Sequence, residues 1–289
     1  MRFITCLLLL AQSALCAAQD EQLEKQTKDA ASQGYHIEFI ELVELIYGKG
    51  FLSQGGPASV KRMVQNVDLN GKKVLDIGSG LGGPVLYLGE NYTADITGLE
   101  PQAWMVERAT KSLKEVQNKL KGKVHFVHMA TASSLAPFEA NSFDVIISKE
   151  ALLHIPQAAK QPFFNEIYRV LKPNGQIVIM DWTHSLPNYS DNTKKMMEMD
   201  GVAYNLISRG EYLALLSKSG FQNITLEDTT ADQAAISQQN VATIESLKDT
   251  ICQKYGEEVY KDSLLSWSLQ RDAFTSGELQ TAIIRAKKE

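Results

Sequence analysis

The run Asp76-Ile77-Gly78-Ser79-Gly80-Leu81-Gly82-Gly83 joins an acid to a glycine-rich turn. Gly78, Gly80 and Gly83 satisfy the GxGxxG pattern, which alone marks only a tight strand-to-helix turn open to a ligand's close approach. Asp76 narrows the chemistry. A carboxylate two residues before the first glycine repels a pyrophosphate, whereas it accepts a hydrogen bond from an ammonium or pairs with it. The turn therefore suits a ligand with an amino-acid end better than a dinucleotide. Glu100, followed by Pro101, stands at the separation at which a carboxylate takes two ribose hydroxyls. Acid, turn and ribose acid together describe a site for S-adenosylmethionine.

These residues need a scaffold that delivers them to one edge. KKVLDIGSG reads as a buried strand entering the turn, with Pro84 tolerated in the first turn of a helix over 84–90. ADITGLE is a second strand, and an amphipathic helix from about 102 to 120 follows with Met105, Ala109, Leu113, Val116 and Leu120 on one stripe. VHFVHM and FDVIISK are the third and fourth strands, and a helix near 158–171, a KPNG turn and the strand QIVIMDW complete the alternation. Apolar strands alternating with helices predict an α/β fold, a Rossmann-like doubly wound and mainly parallel sheet covered on both faces. After Trp182 the pattern changes: SRGEYLALLSKSG is a helix closed by Gly220, FQNITLED a strand, 232–274 helical and LQTAIIRA a last strand. That order predicts a C-terminal antiparallel hairpin at one sheet edge and a helical cap over the ligand end. Ahead of the core, Ile37, Ile40, Val43 or Glu44, and Tyr47 fall at helical spacing, stopped by Gly48 and Gly50.

Of 289 residues, 44% are hydrophobic and 22% charged, so the chain can bury a full core, and its formal charge of −5 disfavours a nucleic-acid surface. Arg2, the apolar run Phe3 to Leu15 and the small residues up to Ala18 read as a secretory signal peptide. The run is shorter than the ~20 residues of a membrane span, so no integral span is expected after cleavage. The expected location is the secretory pathway, periplasm or exterior, and the cytoplasm if the leader does not function. The expected organisation is a signal peptide at 1–18, a polar leader and lid helix at 19–58, a nucleoside-binding core at 59–185, and a substrate cap with closing strands at 186–289. Cys6 and Cys16 fall in the leader, leaving Cys252 alone, read as a packing residue, and no internal disulfide. His125 and His128 alternate on one strand without an acid or cysteine at ligand spacing, so no metal site is expected. The expected partner is a small molecule and the expected state a monomer. The sequons at Asn91, Asn188 and Asn223 matter only in a glycosylating pathway.

VLDIGSGLGG, FDVIISKEALLHI and the LKPNG turn resemble the motif set of class I S-adenosylmethionine-dependent methyltransferases over roughly residues 60–185. IYGKGFLSQGG, joined to DIGSGLGG and SKEALLHI, is similar to the phosphoethanolamine N-methyltransferases, a likeness running to the C-terminus. The resemblance implies cofactor contacts at Tyr35, Ser53, Gly78, Ser79 and Glu100, near Thr131, and at Ser148 and Lys149. It also implies a catalytic pair, Tyr35 and His154. Methyl transfer requires exclusion of water, alignment of the nucleophile and an unprotonated amine. Tyr35 on the leader would close over the cofactor and bond His154, which would take the amine proton directly or through water.

The resemblance weakens at the substrate. In the subfamily a tyrosine after the fifth strand and basic side chains of the cap hold a phosphate. Trp182 stands at that tyrosine position, Gly34 where a glutamine is expected, and Val202 and Gln270 where an arginine and a lysine are expected; Tyr204 is retained. Loss of two cations removes charge-assisted bonds, although Arg271 or Lys195 offers a geometric substitute. Trp182, Tyr204 and Tyr47 either wall a small cationic or neutral substrate by cation–π contact or, for Trp182, pack beneath the cap. Asp181 either orients polar groups of the substrate or caps the next turn. The expected function is N-methylation of an amine, phosphoethanolamine-like or free. The alternatives are O- or C-methylation of a lipid, quinone or carboxylate, a non-catalytic nucleoside-binding paralogue, and an NAD-dependent oxidoreductase, which Asp76 and the lack of a Tyr-x-x-x-Lys pair disfavour.

Overall fold

The structure, a computed structural model, describes residues 37–129, 135–186 and 188–289. The expected leader, Tyr35 and Thr131 lie outside the described residues. The chain begins with α1 (Ile37–Tyr47) and α2 (Gly56–Met63), then alternates β1 (Lys73–Ile77), α3 (Gly83–Asn91), β2 (Asp95–Glu100), α4 (Ala103–Val116) and β3 (Lys123–His128). β4 (Phe143–Lys149), α5 (Gln157–Val170) and β5 (Leu171–His184) complete the alternating half. The remainder runs α6 (Asp191–Asp200), α7 (Arg209–Lys218), β6 (Gln222–Asp228), α8 (Thr230–Ser246), α9 (Lys248–Tyr255), α10 (Glu257–Thr275) and β7 (Leu279–Lys287).

The sheet order is β3-β2-β1-β4-β5-β7-β6. The first five strands pair in parallel, and β7 pairs antiparallel with both β5 and β6, the expected closing hairpin. Both faces are apolar, because successive strand residues point to opposite sides. Leu75, Ile77, Ile146, Ile177 and Ile179 pack with Phe163, Phe164 and Ile167 of α5, while Val74, Val145, Ile147 and Val178 pack with Met63 of α2 and Val85 and Leu88 of α3. The expected KPNG turn is an irregularity inside β5. The β4 ladder breaks between the Phe143–Leu171 and Val145–Gln176 pairs, where Asn174 takes φ 63°, a left-handed conformation asparagine tolerates. The long helical stretch after β6 is three helices, divided at Leu247 and at Gly256, whose φ is 99°.

Strand order reverses at β1, which has β2 on one side and β4 on the other. The carboxyl ends of β1, β2, β4 and β5 therefore open into one crevice at the switch point, where ligands bind in such sheets. The cap closes it: α10 packs on α8 and α6, and α1 packs on α8. Among the described residues no helix is long and apolar enough to cross a membrane.

Candidate active site

A cavity of about 880 Å³ occupies this crevice. Its floor on one side is the turn after β1. Gly78 has φ 78°, and a Cβ there would stand 2.3 Å from the Ala151 Cβ, so backbone from the β1 and β4 loops meets at a distance only glycine permits. The Gly78 and Ser79 amides donate to the Leu99 carbonyl at 2.9 and 3.0 Å, which holds the turn against β2. Glu100 Oε2 accepts from the Gly80 amide at 2.9 Å and Oε1 from the Gln102 amide at 3.0 Å. Burial drives the Glu100 carboxyl up to about 7 against those two bonds. Asp76 is more exposed to the same effect: buried, beside Glu100 and only partly offset by Lys149, it too rises to about 7.

Asp76 Oδ2, Ser79 Oγ and Gln102 Oε1 are buried polar atoms without a hydrogen-bond partner. Orphaned groups of this kind are costly unless a ligand meets them. Two acids and a hydroxyl around a glycine cradle fit the ammonium and the ribose of S-adenosylmethionine.

The other side of the cavity is built by β4, β5 and the cap. Lys149 Nζ donates to Ser53 Oγ at 2.8 Å, to the Gln54 carbonyl at 2.9 Å and to Glu150 Oε1 at 2.8 Å, a pair with side chains only 2% and 8% exposed. Glu150 sits at φ 52°, a strained conformation for a residue with a Cβ. His154 ends the short Leu152–His154 turn, and its Nδ1 lies 2.8 Å from the Ala203 carbonyl. Donation to that carbonyl puts the proton on Nδ1 and leaves the lone pair on Nε2. Burial, reinforced by Lys160, lowers the imidazole's pKa, while the Ala203 bond and Glu150 oppose the shift.

Trp182 and Tyr204 stack with ring centroids 5.7 Å apart and planes 8° off parallel, and His154 stands 5.8 Å from the Tyr204 ring. Tyr204 Oη donates to Asp200 at 2.7 Å, and Asp200 also accepts from Ser266 at 2.9 Å. Tyr47 Oη accepts from Trp267 Nε1 at 2.9 Å. Gln54 donates to Gln270 and accepts from Ser237 at 3.0 Å and Asn240 at 2.8 Å, tying the loop after α1 to α8 and α10.

Ser53, Gly78, Ser79, Gly80, Glu100, Pro101 and Lys149 line this one cavity with Tyr47, His154, Trp182 and Tyr204. Asp76, 2% exposed, is not itself a lining residue; it immediately precedes Ile77, Gly78, Ser79 and Gly80, which are. Ser148 is not among the lining residues; its hydroxyl donates to the Ile77 carbonyl at 2.9 Å, so it braces β1 against β4. Tyr35 and Thr131 fall outside the described residues. Trp182 packs edge-on against Phe274 and also lines the cavity. Asp181 does not line the cavity, and its carboxylate accepts from Tyr212 and from the Trp182 amide. Sequence reasoning passed over Glu150, Gln54 and Asp200. Glu150 was legible as the acid immediately beyond a core strand, where such folds carry chemistry; Asp200 and Gln54 had no local signal, since only the cap's packing brings them in.

The family described as "Methyltransferase domain" matches residues 75–179. The chain is 30% identical over 210 residues to a phosphoethanolamine N-methyltransferase of Plasmodium falciparum, covering 72% of this chain and 76% of that one. It is also 30% identical over 245 residues to a Triticum aestivum enzyme of the same name, covering 84% of this chain and 46% of the other, so it spans about half the length of the plant relatives. The fold is similar to that of a Haemonchus contortus phosphoethanolamine N-methyltransferase in complex with phosphomonomethylethanolamine and S-adenosylhomocysteine. That match has TM-score 0.77 and 23% identity, and covers 88% of this chain and 58% of the other.

Proposed function

The chain belongs to the class I S-adenosylmethionine-dependent methyltransferases, and from that premise we propose that it N-methylates a small amine. When bound, S-adenosylmethionine supplies a methyl group on an electrophilic sulfonium. The protein's own part begins at the turn. Asp76 accepts from the ammonium of the amino-acid end, Glu100 takes the ribose hydroxyls, and Ser79 and Gln102 offer their unpartnered oxygens nearby. Glu150 and His154, just beyond β4, and Trp182, near the end of β5, line the same cavity as the β1 turn.

The observation that carries the amine reading is His154. An amine acceptor arrives largely protonated and must lose a proton before it attacks, which requires a neutral base at the acceptor. His154 is held neutral by burial, its Nδ1 is committed to Ala203, and Nε2 remains to accept the proton. Glu150, one oxygen of which accepts from Lys149, lines the same wall. Trp182, Tyr204 and the cap helices exclude water from this side. The family resemblance pairs Tyr35 with His154, and in this reading the two act together.

The test is transfer of labelled methyl from S-adenosylmethionine to small amines. His154→Ala lowers kcat by about 100-fold or more, the usual worth of a positioned base, with nucleoside affinity unchanged. Tyr35→Phe lowers kcat as well. Unchanged turnover in His154→Ala refutes the base assignment.

A further inference from the structure

The acceptor side of the cavity has an unusual charge inventory. Among the described lining residues Lys149 is the sole lysine or arginine, against the acids Glu100, Glu150 and Asp200. Lys149 is also spent. Its three protons go to Ser53, the Gln54 carbonyl and Glu150, and the side chain is buried in that arrangement. What remains on this wall is an aromatic stack, the carboxylates of Glu150 and Asp200, and the amide of Gln270, whose oxygen already accepts from Gln54.

Resting on the methyltransferase reading of this same site, we infer that the acceptor is a small amine whose remainder carries no anionic group, held between Glu150 and the Trp182–Tyr204 stack. A phosphomonoester carries about −1.5 to −2 charges at neutral pH. It is normally held by charge-assisted bonds from arginine or lysine. Here it would be dehydrated beside two acids with no cation left among the described lining residues to receive it; Arg271, paired with Asp272, and Lys195 are not among them. An ammonium meets the opposite environment, since the acids of this wall, Glu150 and Asp200, outnumber its one lysine, and the faces of Trp182 and Tyr204 stabilise it by cation–π contact. The relatives' names specify phosphoethanolamine for those enzymes; the wall of this cavity has the chemistry for the amine end alone.

The experiment pairs two measurements on the purified protein. Calorimetric titration with S-adenosylhomocysteine first establishes that the nucleoside binds; failure there refutes the methyltransferase reading itself. Labelled-methyl transfer is then measured with ethanolamine, N-methylethanolamine, propylamine, glycine and phosphoethanolamine. The expected result is transfer to at least one of the first three, with kcat/KM for phosphoethanolamine and glycine lower by about 100-fold or more, the worth of missing charge-assisted contacts. Gln270→Lys and Val202→Arg each place a cation on the acceptor wall and raise kcat/KM for phosphoethanolamine relative to ethanolamine by about tenfold. Nucleoside-stabilised melting of both variants confirms that they fold. The inference is overturned if phosphoethanolamine matches or exceeds ethanolamine in the unaltered protein, or if the nucleoside binds and none of the three unphosphorylated amines is methylated.

Discussion

Asp76 offers a test in which stability and binding move in opposite directions. Its carboxyl is buried, one oxygen has no partner, and its midpoint rises from 3.8 to about 7. An acid with a raised folded-state pKa binds its proton more tightly when folded, so stability is highest below the unfolded value and is lost as pH rises towards 7. At about 1.4 kcal/mol per tenfold change, the ionised carboxylate costs the unliganded fold about 4 kcal/mol. Asp76→Asn removes that charge but leaves a buried amide with its own desolvation cost, so the net gain at pH 8 is about 2–3 kcal/mol. In a domain of this size that is about 4–12 °C in Tm. At pH 5 the native carboxyl is already protonated, and the gain shrinks towards zero.

Binding moves the other way. Asp76→Asn loses a charge-assisted bond worth about 1.5–3 kcal/mol, which weakens S-adenosylmethionine by about 10- to 150-fold at pH 8. In the unaltered protein, protons on Asp76 and Glu100 compete with a cationic ligand, so affinity climbs with pH up to about 7 and levels beyond it. Thermal melts of the unliganded protein at pH 5 and 8, with calorimetric titrations at the same pH values, check both halves. If Asp76→Asn destabilised the unliganded protein equally at both pH values, Asp76 would be a structural carboxylate and the ligand-facing assignment would be wrong.

Gly78→Ala is expected to abolish measurable nucleoside binding and to lower stability by about 1–3 kcal/mol, because the new Cβ would meet Ala151 at a φ of 78°; near-normal affinity by calorimetry would contradict the close-approach argument. Lys160 is a positioning residue for His154, since its buried ammonium donates to the Leu152 carbonyl at 2.6 Å at the head of the turn that His154 ends. Its charge also disfavours the imidazolium. Lys160→Met is therefore expected to move the acid limb of the kcat/KM profile upward, and to cost about 1–3 kcal/mol by leaving the buried Leu152 carbonyl without its donor. An acid limb that stays in place refutes the link to His154.

The alternating half of the fold was legible because its core strands are apolar runs that carry a chemically marked residue at or near the carboxyl end: Asp76 in β1 with the glycines that follow, Glu100 at the end of β2, Lys149 at the end of β4 and Trp182 near the end of β5. Period-two burial on both faces leaves few alternatives to a covered parallel sheet. The cap was legible only as helical content. Its breaks at Leu247 and Gly256 have weak local signals, and its contributions to the site, Asp200, Trp267 and Gln270, depend on how α6 and α10 pack over the crevice. Ser148 shows the same limit in reverse. In sequence it stands beside Lys149, but alternation along β4 turns its hydroxyl to the Ile77 carbonyl while Lys149 reaches Ser53.

Asp181 and Asp76 show why a displaced pKa does not by itself identify a site. Both are buried at carboxyl-end positions of core strands, and burial raises both to about 7. Their surroundings differ. Asp181 accepts from the Tyr212 hydroxyl and the Trp182 amide and faces Lys160, so its lone pairs are answered from within the protein. It does not line the cavity. Asp76 has an unanswered oxygen beneath a glycine turn and beside a second acid. Burial, charge and hydrogen bonding must be read together: an acid whose oxygens are met from within the protein is structural, and an uncompensated one at the switch point of a parallel sheet is poised for a cationic ligand.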